Sequence, residues 1–121
     1  MYATDANNVF YNRELVYSAP GEIVKALPFG KHLILHYDVL AEDINNVSEE
    51  EAYQNVLSID FNGCVLWRLP KPEKTLVPAF QPDYRNIRID NEGSFWAGDG
   101  AAYENKFDPN TGKILESVFT K

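Results

Sequence analysis

Asn55-Val-Leu-Ser-Ile-Asp-Phe-Asn-Gly-Cys-Val-Leu-Trp-Arg68 is the stretch from which the rest of the chain is read. Val56 to Ile59 has the β-branched and apolar bias of a strand, and Asn62-Gly63 is the strongest short hairpin signal. Cys64 to Arg68 then resumes the strand pattern. Related units run from Arg85 to Ala97 around Asp90-Asn-Glu-Gly93, and from Tyr103 to Phe119 around Asp108-Pro-Asn-Thr-Gly112. Three consecutive meander units follow. They predict an all-β chain of antiparallel meanders resembling propeller blades, packed as a sandwich or open barrel.

Upstream, Asn8 to Ser18 reads as a hairpin around Asn12-Arg13, and Glu22 to Phe29 as an extended segment with Ile23, Leu27 and Phe29 on one face. Lys31 to Leu40 is the clearest alternating strand, with Leu33, Leu35, Tyr37 and Val39 on one side and His32, Ile34, His36 and Asp38 on the other. Ser48 followed by Glu51 is a capping-box pattern, which predicts at most one helical turn within an otherwise irregular segment 41–54. Prolines at 70, 72, 78 and 82 make 69–83 a crossing loop or an edge segment, since each removes a backbone donor. Residues 1–121 are expected to form one all-β domain.

The composition narrows the function classes. Eighteen acidic against 11 basic residues give a formal charge of −7, which repels nucleic-acid phosphates and anionic membranes and favours a basic partner. The amino terminus has neither a basic n-region nor an apolar h-region, and no run approaches the length of a membrane span. A single cysteine, Cys64, makes no intramolecular disulfide, so a cytoplasmic location is expected, with the thiol buried as a small hydrophobe. Trp67 is expected in the core, sharing a face with Val65 and Leu69.

Catalytic signatures are sparse. His32, His36 and Asp38 lie on one side of one strand, but the two histidines are about 13 Å apart along the backbone, too far to converge on one ion unaided. A satisfied or solvated polar face is the expectation, with no metal and no cofactor. Asp60, Asp90 and Asp108 read as turn residues accepting local backbone hydrogen bonds, because the glycine and glutamate positions of a calcium loop are not met. The segment holding Asp38, Glu42, Asp43, Glu49, Glu50 and Glu51 contains no lysine or arginine, which suits an acidic surface that steers a basic protein. Trp96, Asp99 and Tyr103, around Gly98-Asp-Gly100, are candidate additional contacts.

Val56-Leu-Ser-Ile-Asp60 with Asn62-Gly63 and Val65-Leu-Trp67, followed by Tyr103-Glu-Asn-Lys-Phe-Asp-Pro-Asn-Thr-Gly-Lys-Ile-Leu115, resembles the blades of quinoprotein-type propellers. The same pieces, with the terminal Phe-Thr-Lys, resemble short bacterial immunity proteins that accompany polymorphic or contact-dependent growth inhibition toxins. The resemblance covers about residues 52 to 121 and rests on turn and packing motifs. No quinone-binding residue carries over. It implies a cognate basic protein toxin, commonly a nuclease, neutralised in the cytoplasm by occlusion of its active site, and no enzymatic activity of this chain. The alternatives are a blade-like ligand- or protein-binding module and a small enzyme using His32, His36 and Asp38.

Overall fold

The structure is a computed structural model that describes residues 1–73 and 81–120. Three antiparallel sheets follow one another along the chain. The first contains β1 (Tyr2–Asp5), β2 (Asn8–Tyr11) and β3 (Glu14–Ser18), and the second contains β4 (Glu22–Phe29), β5 (His32–Asp38), β6 (Val56–Ile59) and β7 (Val65–Arg68). The third contains β8 (Tyr84–Ile89), β9 (Phe95–Asp99), β10 (Tyr103–Phe107) and β11 (Ile114–Phe119). Each is a meander in which neighbours in sequence are neighbours in the sheet. The sheets do not close into a barrel. A 3-10 helix (Ala41–Asn46) and the short α1 (Glu49–Tyr53) lie between β5 and β6.

The second sheet is the middle layer, and its two faces build two cores. Leu33, Leu35, Tyr37, Leu57 and Ile59 pack with Val9 and Ala19 of the first sheet and its exit. Ile34, Val56, Trp67 and Leu69 pack with Tyr84, Ile87, Phe95, Ala97 and Phe107 of the third. β6 is therefore buried at every position, Val56 to Ile59. Val56, Leu57 and Ile59 are apolar for this reason, since a strand covered on both sides has no solvent face to show, and Ser58 is buried with them.

The turns follow local chemistry. Gly63, Gly93 and Gly112 have φ of +83°, +82° and +74°. Asp60 Oδ1 accepts from the Asn62 and Cys64 amides, Asp90 Oδ1 from Glu92 and Ser94, and Asp108 Oδ1 from Asn110. The aspartates are turn residues as expected. The capping box is present in full: Ser48 Oγ accepts from the Glu51 amide at 3.1 Å and Glu51 Oε1 from the Ser48 amide at 3.0 Å.

Five expectations need correction, the first being that segment 41–54 holds at most one helical turn, since it forms both the six-residue 3-10 helix and α1. The side of β5 carrying Ile34 and His36 is covered by the third sheet, so His36 is 1% exposed. Irregular pairing between β6 and β7 places Val65 opposite Ile59 and Trp67 opposite Ser58, which puts Leu66 out of step. Val65 consequently leaves the face of Trp67 and Leu69 and is 44% exposed. A similar shift in β4 sends Ile23 to the core with the first sheet, while Leu27 and Phe29 join the other. Cys64 is exposed, because the turn holds it outside both cores. Of the proline-rich stretch, residues 74–80 lie outside the described residues.

Trp67 is 9% exposed, donates its indole N–H to the Pro109 carbonyl at 2.9 Å, and meets Phe107 edge-on at 5.6 Å. A Cβ at Gly112 would approach the Trp67 ring to 2.6 Å, so the β10–β11 turn is shaped around the indole. Trp67→Ala is expected to lower the unfolding free energy by about 3–5 kcal/mol in urea titration. A loss below about 1 kcal/mol would remove Trp67 from the core.

Candidate functional site

Antiparallel pairing sets which ends of the strands meet. The end of β5, the start of β6, the end of β7, the start of β8 and the β9–β10 turn are tied together by hydrogen bonds. Asn55 Nδ2 donates to the Tyr37 and Tyr84 carbonyls, both at 2.9 Å, and Asn55 Oδ1 accepts from the Tyr84 amide at 2.9 Å. Gln54 Nε2 donates to the Leu69 carbonyl, Tyr84 Oη to the Pro70 carbonyl, and the Gly100 amide to the Asp83 carbonyl. This end of the stack carries Asp38, the 3-10 helix with Glu42 and Asp43, α1 with Glu49, Glu50 and Glu51, and also Asp83 and Asp99. The acidic segment and the β9–β10 turn thus share one end of the molecule.

Asp38, Glu42, Asp43, Glu49 and Glu50 are exposed. Cations distant in sequence nevertheless reach two of the acids at this end, Glu50 lying 3.7 Å from Arg68 and Glu49 3.6 Å from Lys71, while Asp83 lies 2.8 Å from its near neighbour Arg85. Glu51 is half-buried, and its carboxylate is engaged in the capping box. Among the described residues, Glu42 and Asp43 have no ion-pair partner. Asp38 lies 3.4 Å from His36 Nε2. Burial lowers the His36 pKa, with Asp38 opposing, so the ring is neutral near neutral pH.

The acidic cap is anchored from below by Tyr37. Its hydroxyl donates to the Glu51 carbonyl at 2.6 Å and accepts from Arg68 Nη1 at 3.1 Å, while Arg68 Nη1 also donates to the Gln54 carbonyl at 3.2 Å. Burial pushes the Tyr37 hydroxyl up to about 12, with Arg68 pulling the other way, and burial likewise raises Tyr84.

Trp96, Asp99 and Tyr103 do not form one surface. Asp99 Oδ1 accepts from the Ala101 and Tyr103 amides and Oδ2 from Asn105 Nδ2, which makes Asp99 the organiser of its turn. Tyr103 packs against Phe119 at 5.3 Å. Asp99 and Tyr103 border a cavity of about 390 Å³ with Pro70, Tyr84, Asn105 and Ile114. Trp96 occupies the other face of β9, level with Arg88 and Lys106 on the flanking strands. The Arg88 guanidinium lies 5.3 Å from its ring centroid and makes a bidentate pair with Glu104, both contacts 2.6 Å. The Trp96 indole donates to Asp90 Oδ2 at 2.8 Å, the main reason the Asp90 carboxyl is lowered.

His32, His36 and Asp38 do not gather into a reactive centre: His36 Nε2 donates to the Tyr84 carbonyl at 3.0 Å, and His32 stands level with Phe29 at the far end of β5. No group of three His, Cys, Asp or Glu positioned to hold a metal occurs among the described residues. Asn55 and Asp83, which organise and extend this end, were missed by sequence reasoning. Asn55 bonds to backbone atoms of residues far away in sequence, which leaves no local signal.

No protein family matches the sequence, and no curated protein does. Similar solved structures include two crystal structures of computationally designed proteins. The Ika8 protein aligns with a TM-score of 0.58 at 12% identity over 99% of this chain and 36% of its own, and the Ika4 protein with 0.59 at 12% over 99% and 66%. The chain thus spans about a third of the first and just under two thirds of the second. At such identity the likeness is one of fold alone.

Tyr37→Phe removes the acceptor of Arg68 and the donor to α1 while keeping the ring. It is expected to cost about 1–3 kcal/mol in urea unfolding. A change below about 0.5 kcal/mol would mean that the hydroxyl does not anchor the cap.

Proposed function

We propose that the chain is a protein-binding module that captures a basic partner through its acidic end, as an immunity protein that neutralises a cognate toxin in the cytoplasm, without catalysis of its own. The observation that carries this reading is the concentration of exposed carboxylates, Asp38, Glu42, Asp43, Glu49 and Glu50, on one anchored end of the stack. Carboxylates held at a rigid rim steer a basic protein over long distances and raise its association rate, and they favour positively charged active-site surfaces such as those of nucleases. That the partner is a toxin is implied by the sequence resemblance alone; the acidic end supports only a basic partner. A second reading, a ligand-binding module, is favoured by the cavity beside Tyr84, Tyr103 and Asn105. Its polar side chains Asn105 and Ser117 already bond to each other, at 2.6 Å.

Charge reversal tests the first reading, with Glu51 left intact for its capping role. Glu42→Lys, Asp43→Lys and Glu49→Lys combined should slow association with a partner recovered by pull-down from the native host by about tenfold or more at low salt, and flatten the salt dependence. The unfolding free energy should stay within about 1 kcal/mol of wild type. An unchanged association rate and salt slope would contradict binding through this end.

A further inference from the structure

His36 stands at the seam between the second and third sheets with one ring nitrogen occupied and one bare. Nε2 donates to the Tyr84 carbonyl at 3.0 Å, and that carbonyl also accepts from Asn55 Nδ2 at 2.9 Å, so both of its lone pairs are used. Nδ1 is buried and has no hydrogen-bond partner among the described residues. The neutral tautomer with its proton on Nε2 suits this arrangement, because the bare Nδ1 then forgoes only an acceptor bond.

We propose that His36 is an acid-operated latch between the second and third sheets: a proton arriving on Nδ1 meets no acceptor, and the charged ring leaves the seam, releasing the Tyr84 backbone from β5 and β6. The groups around the ring define how the latch is set. On β5, Asp38 lies 3.4 Å from Nε2 and favours the protonated ring. On β4, Lys25 stands level with His36, and its ammonium donates to the Ile87 carbonyl of β8 at 2.9 Å. From the start of β8, Asp83 attracts and Arg85 repels a charged imidazole, and the two are paired at 2.8 Å. β6 presents the apolar Val56.

Burial prevails over these charges and lowers the pKa of the closed state below the ordinary imidazole value of 6.5. The open seam, with its ring in water, titrates near that ordinary value. Closure is therefore fully favoured above it and weakens as pH falls towards the closed-state value. Between the two, each pH unit of acidification raises the ratio of open to closed about tenfold. Asp83 works the other way, since burial raises its carboxyl and acid favours its closed position. The latch is independent of the binding reading and stands if the acidic end binds nothing.

Hydrogen exchange of the Tyr84 amide, which donates to Asn55 Oδ1, reads the seam directly. Its protection factor, corrected for intrinsic exchange, is expected to fall by up to about tenfold per unit from about pH 6.5 towards pH 5 in the wild type. The fall should vanish in His36→Gln, which keeps a donor and carries no charge. Asp38→Asn alters an exposed side chain, so it serves if the first variant does not fold; it should leave the onset near pH 6.5 and carry the fall to lower pH, making it deeper. Flat wild-type protection, an equal fall in His36→Gln, or a fall in Asp38→Asn no deeper than in the wild type would each overturn the latch.

Discussion

The carboxamide of Asn55 is the contact on which the arrangement of the second and third sheets depends. It is fully buried, and it replaces with one side chain the ladder hydrogen bonds that two stacked sheets cannot exchange. Apolar packing between Ile34, Val56, Trp67 and Phe107 holds the layers together without fixing how far one slides over the other, because burial is not directional. Asn55 supplies direction. It bonds the backbone where β5 ends and where β8 begins, and leaving those buried groups unpaired would be costly.

The middle sheet takes the consequences. Covered on both faces, it carries the residues of both cores, while the outer sheets each leave one face to solvent. On the third sheet the ladder of Arg88, Trp96 and Lys106, with Glu104 paired to Arg88, gives that outer face a solvated, cross-linked surface. The loops at the Asn55 end are held by Tyr37, Gln54 and Arg68. The candidate surface is acidic at its rim and hydrogen-bonded at its base.

Much of this was legible in the residues. Asn62-Gly63 announced its hairpin, the aspartate turns marked the third sheet, and Ser48 with Glu51 marked the helix, because each signal is local chemistry with one dominant solution. The double burial of β5 was not legible, since the alternation that includes His36 and Asp38 fits a half-exposed strand equally well. The shifts at Ile23 and Leu66 also escaped, as one out-of-step residue reverses which side chains face a core. β1 went unread because Tyr2–Asp5 has little apolar patterning and is defined by its pairing with β2. At the candidate site the acidic run was plain, but its contacts with Arg68 and Lys71 come from elements that only the fold brings near.

If one side chain sets the register of two sheets, its removal should be felt far beyond its size. The most direct test is the unfolding free energy of Asn55→Ala, measured in urea together with exchange protection along β8. The account predicts a loss of about 2–5 kcal/mol, with protection falling most at the start of β8, because the truncation strands the Tyr84 amide and the Tyr37 carbonyl away from water. A loss below about 1 kcal/mol with β8 protection unchanged would contradict it, and would leave apolar packing alone as what aligns the sheets.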